Sequence, residues 1–595
     1  MKRALCLAIL LPLVALAGSK DDFLKARTIL NDGQYAGNTA PVYAVPHVTP
    51  GGPSPATWYV GRIDTVGGTT YDVQGSGPGD QYIYCDTCYG VHVIWLFSAD
   101  SASPFTDRNM HYNFYDFTAG AWNFVDPSNF MNSGINVFTV RSGLGNLDVD
   151  PVTGCAYVCC TQAPSSISPT VAKDAAPGAG IFTECAGTPA ADGYQWPSMC
   201  LTSSEQVHCA LCDGATTFGI YESDVNPWCT WSTPVAFNDT APNPQFPSYV
   251  ATGSKISTTA VISWVYVNPS GPYRGYYRMT TDDGATWAPP VQIPLPPAFT
   301  PGSDSVATFY SIYPFLDEGD NLHVVATVGW TTAGMSGMYV TPTEIWHWYQ
   351  PTAMWSKIAR QGPDTATYVN NGYSVGYNAL FAGRPTLCQV GLNEFECVWE
   401  GFDSLNVEPQ TGLLRADIYA ARSIDNGSTW GPYERLTHPD STSKRFPSVT
   451  THAWYDTCFV RYEDDLCAGF GIEGQGPITN NPIIVQRFKF VWYYSVNDNG
   501  IRSPTVMALA LSPNPVRMSS TISYDLPKSG NVRLSVCDAL GRTVRVLVSE
   551  TKGPGRYSAG WDGRNEQGRR LRAGIYFCGL ETESRRLSRK LVLLP

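Results

Sequence analysis

The stretch "SIDNGSTW", residues 423–430, has a near copy in "TTDDGATW" at 280–287. In both, a hydroxyl residue (Ser423, Thr280) is followed in fixed register by Asp (Asp425, Asp282), Gly (Gly427, Gly284), Thr (Thr429, Thr286) and Trp (Trp430, Trp287). Each position has a physical task. The Asp carboxylate can turn back onto loop amides, and Gly can take φ > 0. The Thr hydroxyl can bond local backbone while its branched carbon suits a strand. The Trp buries a large apolar face. Each copy follows a strand-like run ("DIYAARS", "RGYYRMT") and precedes a short Pro-containing one ("GPYERL", "APPVQI"). The pattern predicts a self-bonded hairpin turn with an aromatic anchor, so Asp425 and Asp282 are read as turn residues rather than catalytic ones.

These segments resemble Asp-box (BNR) repeats, the hairpin motif of sialidase-type β-propellers. The resemblance implies that each turn joins the third and fourth strands of a blade, on the side away from the ligand face. It speaks for a propeller far more than for a sialidase, because fold does not confer function.

The rest of the chain repeats on a matching scale. A Pro-containing strand followed by a turn and an apolar strand begins near Pro197, Pro247, Pro314, Pro385 and Pro447, at spacings of 50, 67, 71 and 62 residues. Less regular copies start near Asp80 and Asp148. Worn turns occur in "FTAGAWNF", "NPWCTWSTP", "PTAMWSKI" and the late "SVNDNGIRSP". About seven four-stranded units result, with six as the alternative. Radial packing buries both faces of such sheets and leaves only short edges. The segment "TWYVGRIDTVGGTTYDV" (57–73) is expected to add a strand to the last blade and close the ring.

The chain starts with a basic pair, an apolar core and Ala15-Leu16-Ala17, which reads as a signal peptide over 1–17. An N-terminal extension (18–55), the propeller (56–505) and a C-terminal module (507–595) follow. No later apolar run is long enough for a membrane span. From residue 507 on there are 15 Lys and Arg against 7 Asp and Glu, while the whole chain is −12. The body is therefore strongly acidic, which argues against a nucleic-acid partner.

The C-terminal module has alternating strands and Gly turns, the pattern of a small antiparallel sandwich. Pro513-Asn514-Pro515, Asp538 with Gly541-Arg542, Trp561-Asp562-Gly563-Arg564 and Gly574-Ile575-Tyr576 carry a resemblance to type IX secretion sorting domains and the Ig-like domain of flagellar hook-capping proteins. It implies delivery by outer-membrane secretion machinery to the cell surface or the medium.

Sixteen Cys follow the signal peptide, as suits an oxidising compartment. Aligning "WPSMCLTSSEQVHCAL" with "RPTLCQVGLNEFECVW" on Pro197 and Pro385 puts Cys200 with Cys388 and Cys209 with Cys397. A hairpin with a four-residue loop in each makes Cys200 face Cys209 and Cys388 face Cys397, which predicts two intra-blade disulfides. Cys85/Cys88 and Cys209/Cys212 lack a second pair at zinc-ribbon spacing. His92, His208 and His323 recur at one strand position and are read as semi-buried. No metal and no cofactor are expected.

A sialidase-like hydrolase needs an arginine triad, a Tyr–Glu nucleophile pair and an acid. Arg62, Arg384 and Arg445 could converge on an axis, with Glu400 or Asp403 as a carboxylate, but no catalytic residue is assigned. The favoured reading is a non-catalytic surface propeller that grips a glycan or a protein. The alternatives are a sialidase-like glycoside hydrolase and a purely structural surface protein.

Overall fold

In the computed structural model of the chain, residues 57–491 and 508–594 are described, apart from 76–78, 163–166, 188–192, 214–219, 238–247, 267, 269–270, 333–337, 373, 513, 518, 527, 554 and 583–585. The expected signal peptide and N-terminal extension, Pro247, Pro513 and the turn in "SVNDNGIRSP" lie outside the described residues.

Seven antiparallel sheets form the blades, numbered here in chain order. Blade 1 covers 83–122, blade 2 142–186, blade 3 195–236, blade 4 249–293, blade 5 305–361 and blade 6 382–435. Blade 7 takes three strands from 443–491, and its outermost strand is Thr57–Thr69, paired antiparallel with Asn481–Val491. The innermost strands contact one another in sequence, and Ile83–Asp86 touches both Leu147–Val149 and Ser443–Val449, so the ring is closed. The count is seven, and the early segment closes the ring as its sequence predicts.

The recurrent Pro has a structural cause. At three of the five copies the strand carries a bulge at the residue before Pro and the Pro itself, between Gln195 and Ser198, Gly383 and Thr386, and Arg445 and Ser448. Trp196, Arg384 and Phe446 there have φ of 53°, 52° and 54°. Bulges leave the ladder locally unpaired, and Pro, which has no N–H to give, fits such a site. The hydroxyl residue after the Pro then accepts a backbone N–H from the next blade: Ala251 to Ser198 Oγ (3.1 Å), Val449 to Thr386 Oγ1 (3.1 Å) and Tyr82 to Ser448 Oγ (3.0 Å). The Pro-Ser or Pro-Thr pair is thus a blade-to-blade clip.

Trp95, Trp264, Trp330 and Trp399 are all buried, filling blade cores. The worn turns at 117–124, 226–234 and 351–358 each join a third to a fourth strand.

The predicted disulfides do not form. Cys200, Cys209, Cys388 and Cys397 are buried free thiols. In blade 3 the turn spans 202–206, one residue more than expected, and Cys200 faces His208 while Met199 faces Cys209. In blade 6 Gly391 faces Glu394, but an irregularity between Gln389 and Gly391 moves the register by one, so Cys388 faces Glu396. A one-residue slip sends partners to opposite faces of a sheet. Cys200 and Cys209 accordingly lie in different core clusters, as do Cys388 and Cys397. Among the described residues the bonded pair is Cys185–Cys229, with Cα atoms 5.0 Å apart, linking the outer strand of blade 2 to the third-to-fourth turn of blade 3. Non-reducing peptide mapping should therefore recover a 185–229 linked peptide, and unlinked peptides carrying Cys200, Cys209 and Cys397.

Residues 508–594 form a second, separate pair of sheets, one of three strands and one of four. Their core contains Leu509, Ile522, Leu534, Trp561 and Leu591. The motif residues brace it. Asn514 accepts from the Val592 N–H (2.8 Å) and donates to the Lys590 carbonyl (3.0 Å), Trp561 Nε1 donates to the Arg564 carbonyl (3.1 Å), and Tyr576 Oη to that of Arg572 (2.8 Å). Arg517 donates to the Tyr89 hydroxyl of blade 1 at 2.7 Å.

Candidate functional site

The two turns that open the sequence reading lie where a blade's third strand meets its fourth, at Thr280 and Ser423. In the first, Asp282 accepts from the Thr286 N–H (2.9 Å) and hydroxyl (2.6 Å), and Thr280 Oγ1 accepts from the Gly284 N–H (3.0 Å). In the second, Asp425 accepts from Thr429 N–H (2.8 Å) and hydroxyl (2.5 Å), and Ser423 Oγ from the Gly427 N–H (2.8 Å). Both carboxylates are consumed by their own turn. Gly427 has φ 75°, and a Cβ there would come within 2.0 Å of His347 Cε1. Trp430 packs edge-on against the same imidazole, with ring centroids 5.6 Å apart. Asp425→Ala should cost about 0.5–1.5 kcal/mol in chemical denaturation, the net range for an intramolecular hydrogen bond, because the Thr429 groups it leaves are open to solvent. Ligand affinity should not change.

These turns also fix the two faces of the ring. Asn426 N–H donates to the Asn393 carbonyl in the first-to-second turn of blade 6 (2.8 Å), so both turns share one side. The inner strands start on the opposite side. There the bulges of blades 6 and 7 present Arg384 and Arg445, and both reach Glu400, which faces Gly383 on the neighbouring strand. Arg384 Nη1 bonds Glu400 Oε1, and Arg445 Nε lies 3.2 Å from Oε2. The Phe446 N–H donates to Oε2 as well (2.9 Å). Burial alone would raise the Glu400 carboxyl, but Arg384 and Arg445 outweigh it and hold it below the usual range. The side chains of Arg384 and Arg445 are 3 % exposed and that of Glu400 0 %. Arg384 stacks over Phe446 (4.6 Å to the ring centre), and Arg445 over Phe470 (4.9 Å).

Around this triad the surface turns aromatic. Tyr310 donates to Asn378 Oδ1 (2.6 Å), whose backbone carbonyl accepts from Arg384 Nη2 (2.8 Å). Tyr377 packs on Phe446 and Phe470. Both tyrosines are partly exposed. Beside them Asp72 accepts from the Gly471 N–H, and burial pushes its carboxyl up to about 7.

Two of the three arginines singled out in the sequence thus converge, together with one of the two carboxylates. Arg62 does not: it lies on the outermost strand of blade 7, exposed and bonded to Asp64. Asp403 is paired with Arg435 (2.8 Å), away from the triad. Tyr310 precedes Pro314 on the inner strand of blade 5, and Tyr377 and Asn378 lie on the connection from blade 5 to blade 6; none of the three belongs to the recurrent Pro–turn–apolar-strand pattern, so none carried a sequence signal.

Residues 517–585 match the family model of the FlgD Ig-like domain. No curated protein matches the chain. Among solved structures, the chain is similar to a family PL25 polysaccharide lyase, an ulvan lyase bound to -[GlcA(1-4)Rha3S]-, with TM-score 0.43 and 10 % identity over 70 % of this chain and 95 % of that one. It is also similar to the endosialidase of phage phi92, with TM-score 0.37 and 10 % identity over 90 % and 87 % of the two chains.

Proposed function

We propose that the protein is an exported recognition propeller, and that the face holding Arg384, Glu400 and Arg445 binds an extracellular glycan or protein without chemical turnover. The observation that carries this reading is the closure of both guanidinium groups on Glu400. A sialidase-type hydrolase needs arginines open to a sugar carboxylate and a carboxylate free to act on a Tyr nucleophile. Here the carboxylate is spent on the arginines, and all three side chains are buried. What the face offers a ligand is the partly exposed side chains of Tyr310 and Tyr377, an amphipathic surface suited to sugar or peptide contact.

The test pairs glycan arrays with chromogenic glycosides, using purified propeller. Expected are glycan binding that Tyr310→Ala and Tyr377→Ala weaken, and no release of chromophore. Turnover of a sialoside that Glu400→Gln abolishes would overturn the reading in favour of the hydrolase.

The C-terminal sandwich is proposed to direct export to the cell surface through outer-membrane machinery. The FlgD-like match and the motif residues around Trp561 support a discrete module. Deleting residues 507–595 should leave a folded propeller in the periplasm of a host with the cognate system, and normal display of the truncated chain would refute the assignment.

A further inference from the structure

His92, His208 and His323 recur in the sequence at one strand position, but their surroundings differ. His92 Nδ1 meets the Tyr112 hydroxyl (2.8 Å), and His323 Nδ1 meets His347 (2.8 Å). His208 alone of the three meets a set of carboxylates. Glu222 and Asp224 are two residues apart on the next strand, and so project from the same face. His208 is paired directly with Asp224. Its Nδ1 lies 2.6 Å from Asp224 Oδ1 and 3.6 Å from Glu222 Oε1, and all three ligand atoms fall within 4.8 Å of one another. Glu222 is only 6 % exposed, and its Oε1, turned toward the imidazole, has no hydrogen-bond partner among the described residues. A buried carboxylate oxygen without a partner is costly unless something of opposite charge satisfies it.

We infer that His208 Nδ1, Glu222 and Asp224 form a binding site for one divalent transition-metal ion of the zinc class. One imidazole and two carboxylates are a borderline N/O donor set, and three protein ligands with a remaining solvent position are a recurring zinc arrangement. Asp224 is 23 % exposed, which leaves the solvent side open for entry. At tetrahedral geometry with bonds of about 2.1 Å, ligand atoms are roughly 3.4 Å apart. The His208–Glu222 separation already fits. The His208–Asp224 contact is a hydrogen bond that must open by less than ~1 Å as the ion displaces its proton.

The other ring nitrogen has a fixed neighbour. His208 Nε2 lies 3.6 Å from Asp283 Oδ1, the same oxygen that accepts from Thr202 Oγ1 at 2.6 Å. A metal-bound imidazole commonly gives its second N–H to such a carboxylate, which sets the tautomer. Asp283 lies inside the 280–287 turn of blade 4, and a Cβ on its neighbour Gly284 would come within 2.7 Å of His208 Cε1. The ion would therefore tie blade 3 to the Asp-box-like turn of blade 4.

The experiment uses the full purified chain, stripped with EDTA and titrated with Zn²⁺ and Co²⁺. Expected are one tightly held zinc per chain and, with cobalt, visible d–d absorption of tetrahedral type. Glu222→Gln, nearly isosteric, should weaken zinc at least ten-fold with the circular dichroism spectrum unchanged. Asp283→Asn should weaken it by about ten- to hundred-fold. No uptake of zinc, cobalt or manganese by the wild-type chain at micromolar metal would overturn the site. So would undiminished zinc binding in folded Glu222→Gln, which would place the ion elsewhere.

Discussion

Glu400→Ala is expected to destabilise the propeller by about 3–5 kcal/mol, the cost of removing one partner from a buried charge cluster. The loss of one carboxylate strands three groups. Arg384 and Arg445 keep their charges at 3 % exposure, and the Phe446 N–H loses its acceptor. Hydration cannot compensate groups so deeply enclosed. Urea denaturation followed by tryptophan fluorescence would report the change. The companion variant separates stability from binding. Replacing all three charges by apolar residues of similar volume should restore most of the loss, since buried ion clusters contribute little net stability over hydrophobic packing. If the triad shapes the ligand face, that stable variant will still bind ligand poorly, because Arg384 also holds Asn378, and through it Tyr310. A Glu400→Ala protein as stable as wild type would mean that the triad is open to water.

How much of this was legible in sequence follows from which interactions are local. The turns at 280–287 and 423–430 were readable because the bonds that shape them, from Thr N–H to Asp and from Gly N–H to the leading hydroxyl, span only four residues. Blade phase was readable because Pro at a bulge and the hydroxyl after it recur. The disulfides failed on register. A hairpin's register depends on its turn length and on any bulge, and neither the five-residue turn at 202–206 nor the slip beyond Gln389 leaves a compositional mark. His208 was visible, but its carboxylate partners come from the neighbouring strand and from the next blade's turn, at separations set by loop lengths. Arg62 illustrates the same limit from the other side: it was grouped with Arg384 and Arg445 as a candidate for the axis, yet it lies on the ring-closing outermost strand of blade 7.

That closure yields the second large effect. Deleting residues 57–69 should abolish the folded monomeric propeller, leaving aggregate or a non-cooperative state in sedimentation and denaturation experiments. The strand is paired along nearly its whole length, from Thr57 with Val491 to Thr69 with Asn481. Its Val66 is fully buried against blade 1, in one cluster with Ile83, Trp95 and Ile483, and Trp95 Nε1 donates to the Gly68 carbonyl (3.0 Å). A Cβ on Gly67 would come within 2.1 Å of the Trp95 ring, so backbone and indole are in direct contact there. Removing the strand therefore strips the last blade of its edge and the first blade of a packing surface together. It also exposes Asn481–Val491 as a long unpaired edge, the kind of strand that recruits other chains. Because closing the ring joins residues more than 400 positions apart, no local structure can substitute for it. Supplying the missing strand in trans as a peptide should partly rescue solubility, and Val66→Asp in that peptide should not, since it would bury an unpaired charge between blades 7 and 1. A deletion variant that stays monomeric and unfolds cooperatively at the wild-type denaturant midpoint would show that the ring does not depend on this seam.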